Sequence, residues 1–290
     1  MEHKATLSER VNEAIFVDEI GLRYSRYNDV VLKTSFLPIF ERRADLLVPI
    51  GVEGLAAPFI KGDQIKTEDF FKSIPKEDAL FIETVLARLH LENFRNLYSP
   101  ELSLYLNYDP SVEDLEFETL AVLGQGLQQT EIGALPSSMV VEITGARSMG
   151  DGYLKSVQER LRTMGIGLAI DDFGARHATA DRVALLRPDV VKIDGDWFRE
   201  VIKRDETVRL FAPTVESFRA LGAHVLVESV ETPDELAAAL EAGVDYIQGH
   251  VLEPAALAGS VYPYESSSIA EMLSRAGASE EVVARFAVRR

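Results

Sequence analysis

The residues able to do chemistry in this chain stand at the ends of its apolar runs. LLVPIGVE closes on Glu53, LSLYLN on Asn107, MVVE on Glu142, and GLAIDD on the neighbours Asp171 and Asp172. VVKID carries Lys192 and Asp194, AHVLVE closes on Glu228, and DYIQG supplies Gln248. This is a set of oxygen donors with one amine and neither His nor Cys, which suits hard divalent cations such as Mg2+ or Mn2+. Adjacent Asp171 and Asp172 can serve two ions a short distance apart, an arrangement suited to in-line displacement at phosphorus. A single acid at a strand end is commonly a solvated turn or a helix cap. Several together are harder to dismiss, because without a cation they would repel and some would take up protons.

These side chains meet only if the runs are parallel strands of one barrel, whose C-terminal ends all open on one face. Apolar, β-branched runs occur at 30–40, 46–52, 102–106, 139–143, 166–170, 190–193, 223–227 and 245–247. Between them lie amphipathic stretches of helical spacing, at 79–97, 154–164, 208–221 and 233–240. Strands alternating with helices imply βαβ units. The steps of 29, 21, 36 and 20 residues from Glu142 through Asp171, Lys192 and Glu228 to Gln248 each fit one such unit. Gly165, Gly222 and Gly243 punctuate helix ends before strands, and Thr232-Pro233 followed by Asp234 and Glu235 opens a helix. Eight strand candidates predict an α/β fold, a single-domain (β/α)8 barrel. Residues 1–29 read as a charged leader, helical and docked on the barrel through Ala14, Ile15, Phe16, Ile20 and Leu22. Residues 30–260 read as the barrel and 261–290 as a closing helical segment with a break at Gly277-Ala278-Ser279.

Composition narrows the partners. The net charge is −17 with no block of Lys or Arg, which argues against polymeric nucleic acid, since phosphate-backbone affinity needs a cationic footprint. A small nucleotide stays open, because bound metal can supply the positive charge. There is no Cys, hence no disulfide and no thiolate site. No signal peptide and no membrane span is expected, which points to a cytoplasmic protein.

The segments VEGL, NYDP, VEIT, IDDFG, VKID, VESVET and IQGH, in this order, resemble the EAL domains of bacterial cyclic di-GMP signalling, over about residues 31–254. The resemblance implies a barrel that linearises cyclic di-GMP to pGpG with Mg2+ or Mn2+. It implies that Glu53, Asn107, Glu142 and Asp171 hold a first metal and that Asp172 joins Asp171 at a second. Lys192 would orient and polarise the attacking water, Glu228 and Gln248 would complete the shell, and Asp194 would help hold the substrate side. It also implies a homodimer, and, with no sensory segment in view, a protein partner supplying the input.

Several positions depart from the family pattern. Gly54 replaces its Ala, a small-for-small change read as harmless. Ala57 stands where an Arg contacts a substrate phosphate, and such a charge-assisted contact contributes about 1.5–3 kcal/mol. Leu37 replaces a Gln. Glu142-Ile143-Thr144-Gly145 lacks the second Glu of the family's ELTE, the loop 175–180 reads ARHATA, and GHVLEP is a residue shorter than usual. Two readings therefore stand: a hydrolase of low activity, and a domain that binds cyclic di-GMP or a protein without turnover.

Other signals have plainer readings. Gly124-Gln125-Gly126 and Gly165-Ile166-Gly167 lack the context of a nucleotide loop. His224 reads as packed or capping, His250 as a residue beside the pocket, and Trp197 and Phe198 as helix packing. Glu113, Asp114, Glu116 and Glu118 read as a solvated face.

Overall fold

Each of the eight apolar runs becomes a strand of one closed barrel. The computed structural model describes residues 5–97, 101–109, 112, 117–128, 138–143, 149–175, 179–260, 262 and 265–287. In chain order the elements are α1 (Leu7–Glu13), β1 (Ile15–Val17), β2 (Arg23–Tyr27), β3 (Val30–Arg43), β4 (Leu46–Ile60), β5 (Asp63–Gln64), α2 (Thr67–Ser73), α3 (Lys76–Phe94), β6 (Ser103–Tyr108), α4 (Glu118–Gln128), β7 (Met139–Ile143), α5 (Asp151–Met164), β8 (Gly167–Phe173), α6 (Ala180–Leu186), β9 (Val190–Ile193), α7 (Gly195–Ile202), α8 (Asp205–Ala220), β10 (His224–Val227), α9 (Pro233–Glu241), β11 (Tyr246–Ile247), β12 (Ala256–Leu257), β13 (Ser267–Ser268), α10 (Ile269–Arg275) and α11 (Glu280–Phe286).

The barrel runs β3-β11-β10-β9-β8-β7-β6-β4 and closes by pairing β4 with β3. It is not wholly parallel. β3 runs against both of its neighbours, β4 and β11, while the other pairs are parallel. The cause is local: residues 44–45 join β3 to β4 in a tight hairpin, and only antiparallel strands can be linked so briefly. The β3–β4 ladder also outruns the barrel, pairing Val30 with Ile60, whereas β4 leaves its other neighbour, β6, at Gly54.

Helix ends follow their caps. Thr179, Asp194, Thr232, Ser268 and Ser279 each accept a backbone N–H at a helix start. Gly165 ends α5 in the left-handed conformation, φ 72°, which glycine adopts without a Cβ penalty. The outer strand faces pack on the helices through Leu104, Val141, Leu168, Val191 and Val225, all buried. Each such side chain contributes about 1.5–3 kcal/mol through burial.

The leader is not one docked helix. Among its described residues only α1 is helical; Ile15–Val17 and Arg23–Tyr27 pair with each other, and β2 extends the sheet from β3. Asp18 forces this turn by accepting the N–H groups of Ile20 and Leu22 at 3.0 and 2.8 Å. Phe16 and Ile20, expected to dock, are 41% and 78% exposed. No helix among the described residues is long and apolar enough to cross a membrane.

Candidate active site

One interior layer of the barrel is formed by Ile39, Tyr105, Val140, Ala169, Val190 and Leu226, with Tyr246 packed against it. Side chains on a strand return to the same face every second residue. Two residues on from this layer stand Asn107, Glu142, Asp171, Lys192, Glu228 and Gln248. Glu53 follows by the same step from Gly51, whose lack of a side chain admits the Tyr105 ring. On antiparallel β3 the step runs backwards from Ile39 to Leu37, in register with Glu53. The site is thus one ring of eight side chains, one per strand, seven of them polar.

Lys192 is the hub of that ring. Its Nζ lies 2.9 Å from Glu142 Oε2, 3.2 Å from Glu53 Oε2, 3.2 Å from Glu228 Oε2 and 3.5 Å from Asp171 Oδ1. Asn107 Nδ2 donates to Glu53 Oε1 at 2.9 Å and Gln248 Nε2 to Glu53 Oε2 at 3.1 Å. Burial opposes the charge of Lys192, yet the four carboxylates hold its ammonium well above the ordinary lysine range. Burial likewise works against ionised Glu53, but Lys192 and the donors from Asn107 and Gln248 outweigh it and lower its pKa. Glu142 has no such surplus: burial, then Glu53 beside it, push its pKa up. Burial also raises Asp171, and lifts Glu228 to about 8.

Asp171 and Asp172 could not both face the site from a regular strand, because successive side chains alternate. The β8–β9 register shifts between Ile170 and Phe173, and Asp172 takes φ 57°. This bulge turns both carboxylates inward. One oxygen from each of Asp171, Asp172 and Glu228 lies within 4.8 Å of the others.

The donor set fits a divalent cation on an observation independent of its residue types. Glu142 Oε1 and Asp171 Oδ1 are buried with no hydrogen-bond partner, and buried carboxylate oxygens without a hydrogen bond are costly. One ammonium faces four carboxylates here, so added positive charge is what the ring lacks.

Other expected site residues lie differently. The Asp194 carboxylate caps α7 through Oδ1, which accepts from Trp197 N at 2.7 Å. Ala57 is fully buried, while Lys33, opposite it in the ladder, is exposed. Gly54 is not interchangeable with alanine, since a Cβ there would lie 2.9 Å from His90 Cβ. His250 is exposed, and His224 is exposed while stacking on Tyr246 with ring centroids 5.0 Å apart. Phe198 is buried against Phe211, and Trp197 packs on Phe173. Thr144, Gly145, Arg176, His177, Glu113, Asp114 and Glu116 lie outside the described residues.

Sequence reasoning missed His90. It sits inside the amphipathic stretch of α3, and its only trace is the Gly at position 54. A cavity of about 750 Å³ beside the ring brings it together with Asn107, Glu83, Asp109 and the free edge of β4 at Gly54–Ala56.

Comparison with known proteins identifies the family and the fold. The profile of the EAL domain matches residues 33–255. The chain is 32% identical over 124 residues to the cyclic di-GMP phosphodiesterase RocR of Pseudomonas aeruginosa, covering 42% of this chain and 31% of that protein. It is 30% identical over 186 residues to the EAL-domain containing protein YkuI of Bacillus subtilis, covering 62% and 44%. The chain therefore spans less than half the length of these curated relatives. The crystal structure of YkuI with substrate c-di-GMP and calcium superposes with a TM-score of 0.70 at 23% identity, over 89% of this chain and 61% of that one. The manganese/cy-diGMP complex of Klebsiella pneumoniae BlrP1 gives 0.68 at 22%, over 78% and 56%. At these identities the structural likeness establishes the fold.

Proposed function

The chain belongs to the EAL domain family, and on that premise we propose that it hydrolyses cyclic di-GMP to pGpG with Mg2+ or Mn2+. The observation that carries this reading is the ring itself: four carboxylates around one buried ammonium, with Glu142 Oε1 and Asp171 Oδ1 accepting no hydrogen bond.

Glu53, Asn107, Glu142 and Asp171 would hold one metal, and Asp171 with Asp172 a second. Such ions lower the pKa of bound water and offset charge on the phosphoryl oxygens. The chain's own side chains do the rest. Lys192 stays protonated, so it orients and polarises the attacking water as a donor and is not the base. Glu228 in its ionised form accepts the proton of that water, and burial, which pushes its pKa up to about 8, makes that carboxylate the stronger base. The water oxygen forms the new bond to phosphorus, one P–O3′ bond breaks, and the released oxygen takes a proton to become the 3′-hydroxyl. Gln248 and Asn107 hold Glu53 in place.

Incubation with cyclic di-GMP and Mn2+ or Mg2+ should yield pGpG, and Glu53→Ala should abolish it. Binding in Ca2+ with no product in either metal would assign the receptor reading instead, consistent with apolar Leu37 in the ring. No binding in any metal would overturn both.

A further inference from the structure

His90 is only 5% exposed, yet it lines the cavity of about 750 Å³ beside the catalytic ring. Its ring orientation is set by a buried chain of hydrogen bonds. Asn93 Oδ1 accepts from Arg23 N at 2.8 Å, and Asn93 Nδ2 donates to Arg23 O at 2.9 Å, so the amide cannot be flipped. The second Nδ2 hydrogen goes to Thr34 Oγ1 at 3.0 Å. Thr34 Oγ1 in turn lies 2.9 Å from His90 Nδ1, and its hydroxyl hydrogen is available to donate to that nitrogen. With Nδ1 an acceptor, the single ring proton sits on Nε2. Burial keeps the imidazole neutral, pushing its pKa down to about 3 against a smaller opposite effect of Glu53. No acceptor for Nε2–H is found among the described residues, and the His90 side chain lines the cavity.

The cavity walls suit a flat aromatic ring. Phe71, Ile74, Ile82 and Leu86 supply apolar surface, and Glu83 and Asp109 place carboxylates at its edge. We propose that His90 is a specificity-determining residue whose Nε2–H donates to the O6/N7 edge of a guanine base held in this cavity. Guanine presents two acceptors on that edge, whereas adenine replaces O6 with an N6 donor that would face the imidazole N–H. A neutral donor on Nε2 therefore selects guanine. A water or a hydroxyl, able to turn and accept, would not.

This inference rests on cyclic di-GMP being the ligand. The test is calorimetric titration in Ca2+ of cyclic di-GMP and of its analogue carrying 2-aminopurine, which lacks O6, in place of guanine. Wild type should prefer cyclic di-GMP by about tenfold or more, the scale of a lost hydrogen bond from a built donor. His90→Leu should bind both alike, and His90→Gln, which restores an N–H donor, should recover the preference. Thr34→Val, which frees the imidazole, should lose part of it and serves as the probe should His90→Leu fail to fold. Unchanged preference in His90→Leu, or in Thr34→Val where that variant serves as the probe, would overturn the inference while leaving the proposed function standing. Failure of wild type to bind cyclic di-GMP would overturn both.

Discussion

Gly54 and His90 fill one space between them: the backbone of β4 passes so close to α3 that a Cβ on residue 54 would lie 2.9 Å from both Cβ and Cγ of His90. Gly54→Ala should therefore cost about 1–3 kcal/mol, the usual range for overpacking. Gly54→Ala with His90→Ala should recover most of that loss. Urea denaturation of the single and double variants measures the coupling, and simple additivity would show that the two sites are independent.

Lys192 should matter to folding as well as to turnover. Replacing it with Met leaves Glu53, Glu142, Asp171 and Glu228 facing one another in the barrel, and removing one partner of a buried ionic cluster costs about 3–5 kcal/mol. The loss should appear in full in EDTA and shrink in Mn2+, since a cation can take over the missing charge. Equal melting temperatures for Lys192→Met and wild type in EDTA would refute it.

Stability in the absence of metal should fall as pH rises from about 5 to 8. Glu228 titrates near 8 in the folded chain and near about 4.3 when unfolded, so between these values the folded state holds the proton more tightly. A group of this sign stabilises below its unfolded pKa and loses that contribution as pH climbs to its folded one. Glu142 and Asp171 are shifted the same way. Divalent metal displaces those protons, so protection by Mn2+ should grow over the same window. Urea midpoints rising with pH in EDTA would contradict this.

Asp172 carries both a carboxylate and a left-handed backbone, φ 57°. Asp172→Asn should keep the melting temperature, because Asn tolerates that conformation, while lowering metal affinity and turnover. Asp172→Val should lose about 1–2 kcal/mol besides, as a β-branched residue pays the steric cost of the left-handed region. Identical melting curves for the two variants would remove the bulge from the explanation.

The sequence by itself determined the strands, and through them the polar residues of the ring. Apolar β-branched runs are local signals, and their spacing from Glu142 to Gln248 already requires one βα unit between successive site residues. The residues Glu53, Asn107, Glu142, Asp171, Lys192, Glu228 and Gln248 were legible for that reason. What lay between distant segments was not. The direction of β3 depends on a two-residue hairpin whose consequence is global. Leader residues 15–27 show a helix-like apolar stripe, but the Asp18 turn and pairing with β3 make them strands.

Only the tertiary structure decided what each site residue touches. It set Lys192 among four carboxylates, turned both Asp171 and Asp172 inward through a bulge, and gave Asp194 to the start of α7. It also brought His90, 36 residues away in sequence, against Gly54. Contact, burial and the field around a charge arise between elements, so no local pattern carries them.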